Sequence, residues 1–297
     1  MTITNRDSSL NRMTILITGA NGTVSSDLLK ALHAKTEVKL RALVRDAAKA
    51  PRLPGVEIAI GDLEEPGSLT EAFAGVDTLW LLNAMGPLAP HASSNALWAA
   101  KQAGVKHIVR LSAIGAGHDA PTRNGRLHAL SDVELLASAI PATIVRPAFF
   151  MQNLLGAVAG DVLYHALGDG RISPIDTRDI ADFAAVVLLA PEKHAGRTYP
   201  ITGPESVSMA QVAATLSAQL GRPFAVQQMG FEDSVNAMVQ AGFPRWVAEV
   251  SGNEYGRAYA GGWGDYTTAD FAAVTGGQPR SIADFARDHA AQLGAGS

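Results

Sequence analysis

The sequence of 297 residues contains no cysteine. This absence excludes disulfides, thiolate metal sites and cysteine nucleophiles, and it is consistent with a reducing compartment such as the cytoplasm. Only 18% of the residues are charged and the formal net charge is −4, so the chain offers no electrostatic reason to bind nucleic acid. The longest apolar run, Phe183–Ala190, is too short to span a bilayer. We therefore expect a cytoplasmic protein with neither a nucleic-acid nor a membrane partner.

Several common site patterns are also missing. The eight histidines are scattered without the spacing of metal ligands, and neither HExxH, GxSxG nor a P-loop GK[ST] occurs. The sequence therefore supports neither a metal site nor a serine hydrolase. Residues 1–12 are polar and lack the apolar centre of a signal peptide, so we expect them to form a flexible tail.

Short β-branched runs alternate with longer amphipathic stretches through the first half of the chain. Strands are predicted at 13–17, 38–44, 56–60, 76–82, 107–112 and 142–146, with helices at 23–32, 66–74, 93–103 and 125–139. Such alternation is typical of an α/β fold with a doubly wound parallel sheet, whose ligands bind at the carboxyl ends of the strands.

The alternation breaks down after residue 150, which suggests two parts. A Rossmann domain is expected at 13–150, with 176–202 returning to its sheet, and a smaller, mostly helical substrate lobe at 151–175 and 203–297. Within this lobe, helices are predicted at 209–221, between Ser208 and Gly221 as caps, and at 281–293 after Ser281.

The stretch TGANGTVS (18–25) joins the first strand to the first helix. Gly19 permits the tight turn and Gly22 allows the backbone to approach a pyrophosphate, while the helix N-terminus favours an anion. The third glycine of this pattern is replaced by Ser25, which we expect to cost packing quality and to spare the phosphate contacts. The predicted cofactor contacts of the turn are Gly19, Asn21, Gly22, Thr23 and Val24.

The second and third strands end in residues that suit the adenosine part of a dinucleotide. Arg45 follows the second strand, where an arginine accommodates the 2′-phosphate of NADPH, and Asp46 beside it favours NADH instead. We expect NADPH as the cofactor, with NADH as the weaker alternative. After the third strand, Asp62 is expected to accept a hydrogen bond from the adenine amino group, with Leu63 beside it in the cofactor site.

These segments together resemble the NmrA-like atypical short-chain dehydrogenases/reductases over about residues 13–293. The matching pieces include TGANGTVS, LRALVRD, GDLEEPGSLTEAFAGVD, AGVKHIVRLSAIGA and SAIPATIVRPAFFMQN. The resemblance implies a Rossmann domain, a smaller substrate lobe and, in most members, NADPH. No Tyr-x-x-x-Lys occurs in this sequence, which agrees with the family and removes the acid/base pair of ordinary short-chain dehydrogenases.

Two candidate catalytic residues remain. His128 and Asp132 lie one helical turn apart, where the family often has His-x-x-x-Glu; a carboxylate beside the ring favours its charged form. His128 then either donates a proton to the reduced substrate or only orients the helix. Ser112, at the end of the fifth strand, either donates a hydrogen bond to substrate or cofactor or bonds to backbone.

Further candidates follow the fourth and sixth strands. By the resemblance, Leu82 and Asn83 lie where the backbone passes the cofactor, and Phe149 walls the nicotinamide pocket together with Phe150 and Asn153. Trp263 belongs to an aromatic stretch that either stacks on the substrate or packs between lobes. We assign Phe149 to the cofactor and Phe150, Asn153 and Trp263 to the substrate.

The sequence thus predicts an NADPH-dependent oxidoreductase. Hydride passes to a small electron-poor acceptor, a quinone, imine, enone or carbonyl, without a Tyr-x-x-x-Lys pair. The alternative is a redox sensor that binds NADP(H) and acts on a protein partner without turnover, and a third interpretation is an isomerase or lyase with a structural dinucleotide. Helices on one face of the sheet offer a surface for a homodimer.

Overall fold

The computed structural model describes residues 13–35 and 38–294, and the expected tail at 1–12 lies outside these described residues. The strands in the described residues are β1 (Thr14–Ile17), β2 (Lys39–Val44), β3 (Glu57–Ile60), β4 (Thr78–Leu81), β5 (His107–Leu111), β6 (Ala142–Pro147), β7 (Val158–Ala159), β8 (Val162–His165), β9 (Arg171–Ile172), β10 (Thr198–Ile201), β11 (Val207–Ser208) and β12 (Ala225–Gln228). Seven of them form one sheet in the order β10-β6-β5-β4-β1-β2-β3. Every pair from β3 to β6 in this order is parallel, which confirms the predicted doubly wound sheet.

Helices connect these strands and make up most of the remaining chain. The α-helices in the described residues are α1 (Thr23–Lys35), α2 (Leu69–Phe73), α3 (Ala89–Ala103), α4 (Arg123–Ala137), α5 (Asn153–Ala157), α6 (Thr177–Leu189), α7 (Met209–Leu220), α8 (Phe231–Gln240), α9 (Arg245–Ala248), α10 (Tyr255–Ala260), α11 (Asp270–Thr275), α12 (Ile282–Asp288) and α13 (Ala290–Gly294). A π-helix, Glu249–Glu254, joins α9 to α10. The helical C-terminal region agrees with the expectation from sequence.

The centre of the main sheet is buried on both faces. Every residue of β1, β4 and β5 is buried, as expected for parallel strands covered by helices on each side. In register, Ile15 of β1 lies beside Leu40 of β2 and Thr78 of β4. Because the strand order changes direction between β1 and β4, their carboxyl ends border the crevice where this kind of fold binds ligands.

Side-chain caps explain two helix starts, and one predicted helix is interrupted. Ser208 and Ser281 each form a capping box at the start of α7 and α12, as predicted. The helix predicted at 281–293 was wrong in its length, because the structure ends α12 at Asp288 and starts α13 at Ala290. The reason lies at His289, which leaves helical geometry and bonds through ring Nδ1 to the Phe285 carbonyl, 3.0 Å away.

The chain divides into two compact units. The first unit comprises the described residues up to Ala116 together with 127–146 and 180–199. Its core contains apolar side chains from strands and covering helices, among them Leu16, Leu79 and Ile108. The boundaries predicted from the sequence, at 150, 176 and 202, differ from the boundaries of this unit. The alternation of strand and helix patterns does not show where the chain passes from one hydrophobic core to the other.

The second unit comprises residues 117–126 and 147–179 and the described residues from Pro200 onwards. Besides its helices it contains a three-stranded sheet, β12-β8-β7, and the two-stranded sheet β11-β9, which the sequence did not predict. A separate core that includes Leu163, Val212 and Phe285 holds these elements together.

Candidate functional site

The glycine turn between β1 and α1 has the geometry that a close approach of backbone requires. Gly19 has a φ of 62°, in the left-handed region, and a Cβ there would lie 2.9 Å from the Leu82 side chain. The Gly22 N–H donates to the Gly19 carbonyl at 2.8 Å, which closes the turn. No acidic side chain lies in the first turn of α1, so its N-terminus remains favourable to a phosphate.

Ser25 explains the missing third glycine. It is fully buried, its Oγ donates to the Thr18 carbonyl at 2.9 Å, and it accepts from the Trp80 indole Nε1 at 3.0 Å. Trp80 is itself fully buried in β4, where an indole N–H needs an acceptor. The expected cost in packing quality stays a prediction, but the serine hydroxyl supplies hydrogen bonds that a glycine lacks.

A cavity of about 810 Å³ opens at this turn and lies entirely within the first unit. The predicted cofactor residues that line it are Gly19, Asn21, Gly22, Arg45, Asp62, Leu63, Leu82 and Asn83. Thr23 and Val24 are not part of the lining, and Phe149 belongs to the second unit. Lys49, which the sequence analysis did not single out, lines the cavity as well.

The end of the cavity near β2 carries both charge signs. Arg45 is 78% exposed and its Nη1 lies 3.9 Å from Asp62 Oδ2, a loose pair. One oxygen of Asp46 accepts from the Ala48 N–H at 2.9 Å and so caps a short 3₁₀ helix. Asp62 Oδ1 likewise accepts from the Glu64 N–H at 3.0 Å. The glycine turn, the start of α1 and the cations Arg45 and Lys49 together fit a dinucleotide with its phosphates.

A second group of polar side chains lies at the carboxyl ends of β5 and β6. The carboxylate of Asp132, on α4, accepts from Arg110 Nε at 3.0 Å, from Ser112 Oγ at 2.8 Å and from Arg146 Nη2 at 2.8 Å. Both Arg110 and Asp132 are buried. The hydroxyl of Ser112 thus donates its hydrogen bond to Asp132. Its oxygen lone pairs are left to accept a hydrogen bond from a ligand.

The structure corrects the expected charge of His128. Burial lowers the pKa of His128 to about 3, and the adjacent Arg110 guanidinium acts in the same direction. Asp132 has the opposite, smaller effect on this pKa. Its oxygens accept hydrogen bonds from Arg110, Ser112 and Arg146. The charged imidazole predicted from the Asp132 spacing was therefore wrong, since the sequence did not reveal the two arginines.

Asn83 connects the cavity to this polar group. Its Nδ2 donates to the carbonyls of Ala84 and Ala89 at 3.3 Å each, and its Oδ1 lies 3.5 Å from Arg110 Nη1. The two arginines were missed by the sequence analysis. The signal was present, because HIVRL and ATIVR each place one arginine in a largely apolar strand.

The remaining predicted residues lie in the second unit. The Trp263 ring is 5.5 Å from that of Tyr259, and Phe149 meets Tyr259 edge to face at 6.1 Å. Phe150 forms an isolated bridge with Ile175, and the exposed Asn153 starts α5. The contacts of these residues with cofactor or substrate stay predictions.

In residues 13–35 and 38–294, no group of three or more His, Asp or Glu side chains is arranged to hold a metal ion. Over the same described part of the chain, every helix is too short or too polar for a membrane span.

The chain is similar to known proteins over most of its length. A family profile described as NAD(P)H-binding matches residues 19–191. The NAD(P)H azoreductase of Xenophilus azovorans is 39% identical over 290 residues, which cover 95% of this chain and 99% of that protein. The NADPH complex of an NADPH-dependent quinone oxidoreductase from Escherichia coli has a TM-score of 0.82 at 26% identity, over 92% of this chain and 99% of that one. NmrA, a negative transcriptional regulator, has a TM-score of 0.76 at 16% identity, over 93% and 95% of the two chains, and supports the fold alone.

Proposed function

The chain belongs to the NAD(P)H-binding family of NmrA-like atypical short-chain dehydrogenases/reductases and is an NAD(P)H-dependent reductase, and on this premise we propose that it prefers NADPH and reduces small electron-poor acceptors. The bound dihydronicotinamide supplies the hydride. Quinones and aromatic azo compounds are the acceptors we propose first, ahead of imines, enones and simple carbonyls.

The observation that carries the proposal is the cavity at the glycine turn. Leu82 leaves no room for a Cβ at Gly19, so the backbone of the turn stays uncovered there, and the start of α1 lacks acidic residues that would repel a pyrophosphate. Eight residues assigned to the cofactor from sequence line this one cavity. A side chain that filled the turn would have argued against nucleotide binding.

The preference for NADPH rests on the charges near β2. Arg45 and Lys49 both line the cavity, and the Arg45 guanidinium is exposed and only loosely paired with Asp62. One oxygen of Asp46 is engaged in capping, which weakens it as an acceptor for a free ribose hydroxyl. Two cations beside a capped carboxylate favour a 2′-phosphate.

The choice of acceptor follows from the missing acid/base pair. Without a Tyr-x-x-x-Lys, the reaction is best suited to acceptors that stabilise the negative charge left by the hydride, as quinones and conjugated azo compounds do. The names of the similar azoreductase and quinone oxidoreductase point to the same classes. Trp263, Tyr259 and Tyr255 also form an aromatic cluster in the second unit, consistent with a flat aromatic ligand.

The test combines binding with turnover. Calorimetric titrations with NADPH and NADH are followed by assays of NADPH oxidation with menadione and with methyl red. Arg45→Ala should weaken NADPH about tenfold and leave NADH unchanged, because a hydrogen bond to a charged phosphate is lost. Arg52→Ala removes an equally charged side chain outside the cavity and should change neither affinity.

The outcomes separate the possible functions. Binding of NADPH with reduction of either acceptor supports the proposal. Tight NADPH binding without turnover on any acceptor class favours the redox sensor instead. Absence of binding by both cofactors refutes the proposal and the sensor together.

A further inference from the structure

A buried arginine contacts the candidate catalytic residue His128 and shares the Asp132 carboxylate with Ser112. Arg110 is in β5, its side chain is only 1% exposed, and its Nε donates to Asp132 Oδ1 at 3.0 Å. A guanidinium within an apolar sheet is unfavourable unless its charge is paired and its N–H groups are used. Asp132 is sufficient to pair the charge, yet the other nitrogens of Arg110 reach three further side chains.

One of those three side chains, Asn83, lines the cavity at the glycine turn. Nη1 donates to Ser93 Oγ at 3.0 Å and lies 3.5 Å from Asn83 Oδ1, while Nη2 lies 3.4 Å from His128 Nδ1. A guanidinium has only donors and no acceptor. The Nδ1 atom of His128 must therefore accept, and the single proton of the neutral ring then resides on Nε2.

The charges around the ring keep it neutral. The charged groups that face His128 are Arg110 from β5, Arg146 from β6 and Asp132 from its own helix. Burial and the two cations lower the pKa of His128, and Asp132 only partly opposes them. Asp132 in turn accepts from Ser112 at 2.8 Å, so one ion pair positions both candidate catalytic side chains.

We infer that Arg110 is a positioning residue for the reduction, which holds His128 as a neutral imidazole whose Nε2–H is the hydrogen-bond donor to the acceptor. The inference rests on the proposed function for its substrate. The Nε2–H stabilises the negative charge that develops as the hydride is added, and its proton stays on the ring. The reduced acceptor then takes its proton from water, which releases hydroxide, so no imidazolium is consumed.

The first test observes the tautomer directly. Full-length protein labelled with ¹⁵N-histidine is studied by long-range ¹H–¹⁵N correlation, alone and with NADPH, and His128 is identified by its loss in His128→Gln. We expect a neutral Nε2–H ring that does not titrate between about pH 5 and about pH 8. An imidazolium, or a proton on Nδ1, at His128 in this wild-type spectrum overturns the inference even if Arg110→Lys does not fold.

The second test perturbs the positioning and reads the kinetics. Arg110→Lys keeps the charge beside Asp132 but lacks the planar fork. We expect mixed tautomers, a kcat about tenfold to a hundredfold lower with KM little changed, and a kcat that acquires pH dependence. Arg146→Lys is the matched control, because Arg146 also binds Asp132 but makes no hydrogen bond to His128. Equal effects of the two substitutions would refute a specific role of Arg110.

A third comparison separates donation from proton transfer. His128→Gln retains an N–H donor that cannot act as an acid at neutral pH, whereas His128→Ala has no donor. We expect His128→Gln to keep kcat within about tenfold of wild type and His128→Ala to lose about a hundredfold. Equal losses would contradict the inference. The wild type could show the Nε2–H form of His128 and still reduce neither menadione nor methyl red. In that case the tautomer is assigned correctly, but the proposed function fails and the inferred role in the reduction fails with it.

Discussion

Replacing Ser25 with glycine restores the third glycine of the phosphate-binding pattern, and we expect this change to destabilise the protein. Ser25 Oγ accepts from the Trp80 indole Nε1 at 3.0 Å and donates to the Thr18 carbonyl at 2.9 Å. Ser25 and Trp80 are both fully buried. Glycine at this position leaves the indole N–H without its acceptor in a place that water does not reach.

The magnitude follows from two terms. A buried donor left without a partner costs about 1–3 kcal/mol, and glycine in place of serine in a helix costs about 0.5 kcal/mol more. Ser25→Gly should therefore lower the free energy of unfolding by about 1.5–3.5 kcal/mol. The affinity for NADPH should stay within about twofold, because Gly19 and Gly22 carry the proposed phosphate contacts.

A double-mutant cycle with Trp80→Phe measures the hydrogen bond itself. Urea unfolding of the wild type, both single variants and the double variant is followed by far-ultraviolet circular dichroism. In the Trp80→Phe background the indole donor is absent, so Ser25→Gly should cost only about 0.5–1 kcal/mol. The reasoning is refuted if Ser25→Gly is as stable as wild type, or if the two substitutions are additive.

Three further predictions concern the cavity and acid stability. Gly19→Ala should lose about 1–2 kcal/mol from its left-handed backbone and, because its Cβ meets Leu82, bind NADPH at least about tenfold more weakly. Gly55→Ala, whose φ is 76° with open space around it, should show the backbone cost alone in the same urea and calorimetry experiments. Lys49→Ala should weaken NADPH about threefold and NADH little, and an equal loss for both cofactors in calorimetry would contradict its contact with the 2′-phosphate. Burial lowers the pKa of His107 from 6.5 to about 4, so the unfolded chain binds a proton in this interval that the folded chain does not. The contribution of His107 to the free energy of unfolding is then complete above pH 6.5 and is lost as the pH falls towards 4, by up to about 1.4 kcal/mol per pH unit. In urea titrations, the free energy of unfolding of His107→Gln should fall less over this range than that of the wild type.

The sequence by itself determined the main parallel sheet and the glycine turn. Alternating strand and helix patterns predicted the parallel sheet, and TGANGTVS predicted a tight turn at Gly19, whose φ is 62° in the structure. These features depend on local propensity and on short repeats, so neighbouring residues carry the information. Gly19, Arg45 and Asp62 follow neighbouring parallel strands and therefore line one cavity. This arrangement can be predicted without knowing how the side chains pack.

Only the tertiary structure decided which partners the polar side chains have. Ser25 meets Trp80 across 55 positions of sequence, and Arg110 meets Asp132 across 22. From spacing alone, Asp132 was expected to face His128 and to favour its charged form, but two arginines from neighbouring strands take the carboxylate instead. The sign of a pKa shift depends on burial and on the nearest charges, and both are set by contacts between segments distant in the chain.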